Sequence, residues 1–151
     1  MTTPQPMTQL ATERRTTGPV VYTARTHTVG GRENGVARSS DGRLDVKLSL
    51  PGSPRIGSNP EQLLAAAWSA CLESAIALAA NKRKIRLTEV FVDAEIDLHL
   101  ADGTYSLSAG LNVGLRGVEP SVAREIVEEA HQICAYSKAT RGNIDVAINL
   151  I

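Results

Sequence analysis

The 151-residue sequence predicts an α+β fold with the element order βββ-α-ββ-α-β. The first observation is a group of three short segments, rich in β-branched residues and separated by turns, that precedes any helix. The second is a long and almost wholly apolar segment with a clear helix start. The third is a pair of strand-like segments joined by an Asp-Gly turn, followed by a second helix and a closing strand. Because strands and helices come in runs, the pattern favours α+β over a parallel βαβ fold.

Three strands are predicted before the first helix. Residues 20–29 are enriched in Val, Tyr and Thr, and residues 36–39 follow a glycine-rich turn at 30–35. An Asp-Gly turn precedes residues 44–48, in which apolar and polar side chains alternate. The three segments therefore predict a three-stranded meander.

The first helix has a strong set of start signals. Asn59 is a good N-cap, Pro60 suits the first helical position, and Glu61 favours the first turn. Small or apolar side chains occur on most sides of the segment to about residue 82, which predicts a long buried central helix. The apolar series at helical spacing includes Leu64, Ala67, Cys71 and Leu78.

The second half of the chain predicts two strands, a helix and a final strand. An Asp-Gly turn separates residues 85–100 from their partner strand at 105–115. A helix over 120–133 begins at a proline, and residues 134–143 form a short irregular or helical connection. Residues 144–148 alternate as the closing strand.

Length and composition fit one domain over residues 19–151 after a disordered tail at 1–18. Sixteen Lys and Arg balance sixteen Asp and Glu, and aromatic residues make up only 3 %. We therefore expect neither a nucleic acid nor a membrane as a partner. The tail has no apolar run of signal-peptide length, so we expect a cytoplasmic protein, where structural disulfides are rare.

Two cysteines are the first candidates for chemistry. Cys71 lies midway along the apolar helix, and Cys134 lies 63 positions later, which matches neither a CxxC motif nor zinc-ligand spacing. In the cytoplasm, such a pair consists either of inert core residues or of redox-active ones. Cys71 taken alone is better explained as a core residue. His27 and His99 lie in strands and do not predict a metal site. His131 is close enough to Cys134 on a helix face for a Cys–His hydrolase to be considered.

Arg32 and Glu61 are candidates for activating a thiol. A reactive thiol needs a nearby cation that favours its thiolate, and Arg32 lies in the glycine-rich turn, where glycines let the backbone place a side chain. Glu61 is able to hold the guanidinium by a bidentate pair. Each residue also has a simpler explanation, since exposed arginines are common and a first-turn glutamate favours the helix dipole.

Eight segments become recognisable when they are taken together and in order. They are Tyr22-Thr23-Ala24, Gly30-Gly31-Arg32, Ser39-Ser40-Asp41-Gly42, Leu44-Asp45-Val46-Lys47-Leu48-Ser49, Asn59-Pro60-Glu61-Gln62-Leu63, Trp68-Ser69-Ala70-Cys71, Ala130-His131-Gln132-Ile133-Cys134 and Ala139-Thr140-Arg141-Gly142-Asn143-Ile144-Asp145-Val146. Over about residues 20–151 they resemble the organic hydroperoxide resistance (Ohr) family of the Ohr/OsmC superfamily. The closing Thr-Arg-Gly-Asn-Ile-Asp-Val run favours the Ohr branch over OsmC.

The resemblance implies an OsmC-like fold, an intertwined homodimer and an antioxidant activity in the response to oxidative stress. The implied enzyme is a cysteine-based organic hydroperoxide reductase, a peroxidase with a redox-active disulfide. Cys71 matches the peroxidatic cysteine, Cys134 the resolving cysteine, Arg32 the activating arginine and Glu61 the glutamate that holds it. The resemblance implies no metal and no bound cofactor, and a dihydrolipoyl group on a lipoylated protein as the reductant. Ala135 stands where the family usually has proline, which predicts a looser turn at Cys134.

Helix geometry adds a prediction about the dimer. Glu61 and Cys71 are about 15 Å apart along the helix axis and about 80° apart around it, too far for one arginine to meet both easily. An antiparallel pair of these helices, crossing near Ala66, brings Glu61 of one chain level with Cys71 of the other. We therefore predict two composite active sites per homodimer.

Three alternatives stay open. The first is an OsmC-type peroxidase with a different substrate preference, and the second is a non-catalytic dimeric binding module with inert thiols. The third is the Cys–His hydrolase that uses His131. Because Cys71 lies among apolar residues, the peroxidase hypothesis predicts a preference for apolar hydroperoxides over hydrogen peroxide.

Overall fold

The computed structural model describes residues 18–151, in which six strands and four helices are present. The strands are β1 (Thr26–Val29), β2 (Val36–Ser39), β3 (Asp45–Lys47), β4 (Glu89–Ala101), β5 (Thr104–Arg116) and β6 (Asp145–Leu150), and the helices are α1 (Gly31–Asn34), α2 (Pro60–Lys82), α3 (Pro120–Ile133) and α4 (Ala135–Thr140). The α+β class and the order βββ-α-ββ-α-β are confirmed, with α1 and α4 as additional short helices. The tail predicted at 1–18 lies outside the described residues except for Gly18.

The N-terminal sheet is an antiparallel meander in the order β1-β2-β3. Its first strand begins at Thr26 instead of residue 20, so this boundary of the prediction was wrong. Thr26 pairs with Ser39, the last residue of β2, and the chain turns directly after it. Within the described part of the chain, residues 20–25 therefore have no strand to pair with, and all of them are exposed.

Helix α2 spans 23 residues and begins as predicted. The side chain of Asn59 accepts a hydrogen bond from the backbone N–H of Gln62 at 2.9 Å, and Pro60 occupies the first turn. By length and composition α2 could cross a membrane, and 33 % of its most apolar stretch is buried inside the domain. The sequence predicted a helix buried on most sides, whereas within the single chain α2 is buried on one face. That face consists of Trp68, Leu72, Ala75, Ile76, Ala79 and Ala80.

The second sheet has the order β4-β5-β6 and contains strands in both directions. β4 and β5 form a long antiparallel hairpin in which Glu89 pairs with Arg116, and β6 runs parallel to β5. β4 begins four residues later than predicted, because β5 ends at Arg116 and Gly117 turns the chain away at a φ of +81°. The parallel direction of β6 results from the crossover through α3 and α4. The alternating pattern of the final strand carries no information about this direction.

The hydrophobic core lies between one face of the second sheet and the helices α2 and α3. Alternate residues of β5, among them Leu111, Val113 and Leu115, are buried because successive side chains of a strand point to opposite faces. From α3, Ile126 and Ala130 lie one turn apart and pack into the same core. This packing brings the end of α3 against the middle of α2, where the two cysteines lie.

Replacing Ile76 by Ala tests the core. Ile76 on α2 has no exposed surface, so the change removes buried methyl groups and leaves a cavity. We expect the free energy of unfolding to fall by about 2–5 kcal/mol. Ile56→Ala is the matched control, because Ile56 is 92 % exposed, and we expect a change of less than about 0.5 kcal/mol. Urea unfolding followed by circular dichroism measures both variants, and equal losses would contradict the described packing.

Candidate active site

Cys71 and Cys134 lie side by side although they are far apart in the sequence. Their sulfur atoms are 3.1 Å apart, with the thiol of Cys134 donating to the sulfur of Cys71, and both are free thiols. An S–S bond is about 2.05 Å long, so closing a disulfide needs an approach of only about 1 Å. Cys134 is 1 % exposed, whereas Cys71 is half-buried. Of the two cysteines, Cys71 is therefore the more accessible to a substrate.

The junction between α3 and α4 places Cys134. Its backbone N–H donates to the carbonyl of Ala130 at 2.8 Å, and α4 begins at the next residue, Ala135. Cys134 has φ −60° and ψ 122°, the extended conformation that a following proline would favour. The chain adopts this conformation with alanine in the usual proline position. The effect of Ala135 on the rate of disulfide closure stays a prediction.

A buried hydrogen bond lies beside the sulfur pair. Nε1 of Trp68 donates to Oγ of Ser137 at 3.1 Å, and neither residue has exposed surface. Trp68 stands three residues before Cys71 on α2, and Ser137 stands three residues after Cys134 on α4. Residue type and spacing did not indicate these two side chains. The available signal was that each stands about one helical turn from a cysteine, Trp68 inside a segment that matches the family and Ser137 just after one.

The surroundings of Cys134 act on the pKa of its thiol in opposite directions. Burial raises that pKa above its ordinary value, and the backbone N–H and hydroxyl of Ser137 lower it. The neighbouring Cys71 acts in the same direction as burial. Because the net shift is upward, Cys134 is held as a neutral thiol at neutral pH.

Arg32 and Glu61 form a second pair. Nη2 of Arg32 lies 2.6 Å from Oε1 of Glu61, and the two side chains are 38 % and 16 % exposed. A single N–O contact joins them, so the bidentate arrangement expected from the residue types was wrong. Arg32 lies in the one-turn helix α1, after Gly30 and Gly31 with φ of +77° and +61°. Side chains rarely allow such values, so glycine is needed to direct Arg32 toward the first turn of α2.

The Arg32–Glu61 pair lines a cavity of about 460 Å³. Ala65 of α2 and Ile96 of β4 are among its apolar lining residues, and Asn59 and Gln62 add polar groups to the charged pair. Among the described residues that line it, there is no cysteine. Glu61 and Cys71 are ten residues apart on α2, which is about 15 Å along the helix. Within one chain, the four predicted site residues therefore form two pairs instead of one site.

His131 does not act as the partner of a cysteine in this structure. In residues 18–151, no hydrogen bond joins its ring to Cys134, and its buried Nδ1 has no hydrogen-bond partner. Burial and the charge of Arg141 lower the pKa of His131, and Arg141 donates to its carbonyl at 2.7 Å. The Cys–His hydrolase hypothesis thus lacks its central contact. Over the same described range, no group of three or more His, Cys, Asp or Glu is placed to hold a metal ion.

Comparison with known proteins connects this geometry to a family. Residues 50–149 match the family model described as OsmC-like protein. The chain is 41 % identical over 136 residues to the organic hydroperoxide resistance protein of Xanthomonas axonopodis pv. citri, a match that covers 87 % of this chain and 95 % of that protein.

Solved structures share the fold. The organic hydroperoxide resistance protein OhrB of Bacillus subtilis gives a TM-score of 0.82 at 34 % identity, covering 87 % of this chain and 100 % of that one. An organic hydroperoxide resistance protein of Legionella pneumophila gives a TM-score of 0.82 at 37 % identity, covering 87 % and 98 %. The predicted OsmC-like fold is thereby confirmed. The chain belongs to the OsmC-like protein family and, within it, to the organic hydroperoxide resistance proteins.

Proposed function

We propose that this protein is a cysteine-based peroxidase that reduces organic hydroperoxides to alcohols. The observation that carries the proposal is the 3.1 Å distance between the sulfur atoms of half-buried Cys71 and buried Cys134. A peroxidatic thiol needs accessible sulfur and a second thiol within reach of its oxidised form, and this pair supplies both. The names of the relatives, organic hydroperoxide resistance proteins, support the same class of substrate.

The proposed cycle has two steps before reduction. The thiolate of Cys71 attacks the terminal oxygen of the hydroperoxide, the O–O bond breaks, and the alkoxide leaves and takes a proton to become the alcohol. Cys71 is then a sulfenic acid. The thiolate of Cys134 attacks that sulfur, the S–O bond breaks, and the hydroxide leaves and takes a proton to become water. The product is a Cys71–Cys134 disulfide.

The cation for the first step is Arg32 held by Glu61, and on this proposal it comes from a second copy of the chain. A guanidinium beside the reacting atoms stabilises both the thiolate and the negative charge that develops on the leaving oxygen. Within one chain Arg32 is engaged at the start of α2, far from Cys71. An antiparallel crossing of two α2 helices near Ala66 brings each Arg32–Glu61 pair level with the other chain's Cys71.

The exposed face of α2 supports this crossing. Ala66, Ala70, Ser74 and Ala77 recur at helical spacing, and all four are exposed in the single chain. A helix of a soluble domain rarely leaves such a row of small, mainly apolar residues in water without a partner. Small side chains also let two helix axes approach closely, because the distance between packed helices depends on the side chains at the contact.

The N-terminal sheet supports an intertwined homodimer. All four residues of β1 are exposed in the single chain. The segment before it carries Val20, Val21 and Tyr22, which are 81 %, 96 % and 76 % exposed. Neighbouring exposed apolar side chains of this kind are typical of an interaction site, and burial against the partner chain would remove them from water.

The apolar walls of the Arg32 cavity support an organic substrate. Ala94, Ile96 and Leu98 of β4 line the cavity that holds the Arg32–Glu61 pair. Next to it, Arg32 also borders a cavity of about 430 Å³ with Leu50, Leu98 and Tyr105. A bulky apolar group on the hydroperoxide would bury surface there, which hydrogen peroxide cannot do. A comparison of cumene hydroperoxide with hydrogen peroxide therefore separates this proposal from an OsmC-type peroxidase with a different preference.

The proposed cycle also needs a reductant for the Cys71–Cys134 disulfide and a cellular compartment in which it acts. We propose that a dihydrolipoyl group on a lipoylated protein reopens the disulfide in the cytoplasm, and that the enzyme binds no cofactor of its own. An external dithiol suits this disulfide, because Cys71 is the more accessible cysteine; attack on its sulfur would release Cys134 as the leaving thiolate.

Replacing each cysteine by serine tests the chemistry. With no reductant present, we expect the wild-type chain to consume about one equivalent of cumene hydroperoxide. Cys71→Ser removes the nucleophile and should consume it at least ~100-fold more slowly. Cys134→Ser is the matched control, since it keeps the nucleophile and should consume its first equivalent at nearly the wild-type rate. Peroxide assay and stopped-flow fluorescence measure these rates. Undiminished consumption by Cys71→Ser would remove the mechanism.

Mixing two inactive variants tests the composite site. In a dimer of one Cys71→Ser chain and one Glu61→Gln chain, one of the two shared sites has both mutations and the other has neither. Random pairing of equal amounts should therefore restore about one quarter of the wild-type activity. Each variant, taken alone through the same unfolding and refolding, is the control. Activity of the mixture no higher than the mean of the two variants would show that Cys71 and Glu61 act within one chain.

A further inference from the structure

Arg55 lies in the loop before α2, and its guanidinium bonds to the end of α1. Nε of Arg55 donates to the carbonyl of Leu48, directly after β3, at 3.0 Å. Nη2 donates to the carbonyls of Asn34 at 3.3 Å and Gly35 at 3.4 Å. Because the guanidinium is planar, with donors in a fixed fork, one side chain joins the two backbone segments in a defined arrangement.

The backbone of the loop that carries Arg55 is itself attached to β3. The N–H of Ser58 donates to the carbonyl of Lys47 at 2.8 Å, and the N–H of Ser49 donates to the carbonyl of Ser58 at 2.9 Å. The next residue, Asn59, is the N-cap of α2. The Arg55 side chain therefore extends from a loop that is held between β3 and the start of α2.

Helix α1 depends on polar contacts for its position. None of its four residues is buried, and it stands between Gly30 and Gly35. Glycine adopts many backbone conformations, so the chain on either side does not fix the direction of α1. The last carbonyls of a helix lack partners within the helix, and a basic side chain is able to satisfy them. Arg55 does this for the carbonyl of Asn34.

The same short helix carries Arg32. Nη2 of Arg32 lies 2.6 Å from Oε1 of Glu61. Arg55 and Glu61 are six residues apart in one segment, so this segment holds α1 both through the Arg32 side chain and at the end of its backbone. Two points of attachment fix the direction of a one-turn helix, whereas the ion pair alone would let it turn about that single contact.

We propose that Arg55 is a positioning residue for Arg32. It fixes α1 against the loop before α2, so that the Arg32 guanidinium stays on Glu61 in one orientation. The inference rests on the peroxidase function proposed above. It concerns the first step of the proposed cycle, the attack of Cys71 on the hydroperoxide, and not the closure of the disulfide.

Arg55→Met tests the proposal in the full-length chain, because it removes the donors and keeps a long side chain. With one equivalent of cumene hydroperoxide, we expect Cys71 to oxidise about fivefold more slowly, as for the loss of about one net hydrogen bond. The disulfide should then close within about twofold of the wild-type rate. Acid quenching at timed intervals followed by mass spectrometry measures both steps. An equal slowing of the two steps would indicate a general loss of structure and would overturn the proposal.

A double-mutant cycle with Arg32 separates positioning from stability. Arg32→Ala removes the group through which Arg55 acts, so adding Arg55→Met to that variant should change the oxidation rate by less than about 1.5-fold. Excess cumene hydroperoxide brings the slow rates into the measurable range. A residue that only stabilises the domain would slow the double variant by the same fivefold, and that result would contradict the positioning role.

Two further variants make the test specific. Arg43→Met is the matched control, because it also removes a positive charge from the N-terminal sheet, and the Arg43 side chain is 90 % exposed. It should leave the oxidation rate unchanged, and a loss as large as that of Arg55→Met would assign the effect to charge alone. Arg55→Lys keeps the charge but not the fork and should slow oxidation about twofold. If Arg55→Met does not fold, as judged by circular dichroism, Arg55→Lys decides by the same criteria.

Hydrogen exchange separates this inference from the proposed function. In the reduced chain without peroxide, Arg55→Met should speed amide exchange over residues 30–36 at least about threefold and leave exchange over residues 64–78 unchanged. If the wild-type chain consumes no hydroperoxide, the proposed function fails, and exchange over 30–36 still decides whether Arg55 holds α1. Unchanged exchange there would overturn the inference. Faster exchange with an unchanged oxidation rate, in an active wild-type background, would also overturn it.

Discussion

The packing of α2 against the second sheet and α3 determines where the candidate site residues lie. Trp68, Leu72 and Ile76 fill the space beneath the helix, and small residues such as Ala79 let α3 approach it closely. The same helix carries Glu61 in its first turn and Cys71 in its middle. Because an α-helix has a fixed rise per residue, the distance between the glutamate that holds the arginine and the proposed nucleophile is set by helix geometry alone.

Because of that separation, the candidate site residues of one chain lie in two places along α2. In one chain, the sulfur pair lies at the middle of α2, and the arginine–glutamate pair lies at its start beside a cavity with apolar walls. The face of α2 between them is exposed and carries small side chains, and the segment before β1 leaves apolar side chains uncovered. A single two-fold axis through that face would join the two pairs and cover both surfaces. The proposed dimer thus accounts for features that a monomer leaves unexplained.

Much of the fold could be predicted from the sequence, because local signals determine it. The start of α2 at Asn59 and Pro60 and the element order depend on neighbouring residues, and both were predicted correctly. The start of β1 depends on where its partner strand ends, and the direction of β6 depends on the crossover before it. For the candidate site, the resemblance implied roles for the two cysteines and for Arg32 with Glu61, but it did not indicate the hydrogen bond between Trp68 and Ser137. That contact exists only because two distant helices pack together.

The central claim is that the two sulfur atoms, 3.1 Å apart in the reduced chain, form the catalytic disulfide. The most direct test is the mass of the full-length chain before and after one equivalent of cumene hydroperoxide, with peptide mapping under non-reducing conditions. The account predicts the loss of two hydrogen atoms per chain and a single cross-linked peptide pair that contains Cys71 and Cys134. An unchanged mass, or a gain of oxygen on Cys71 that persists without a cross-link, would contradict it.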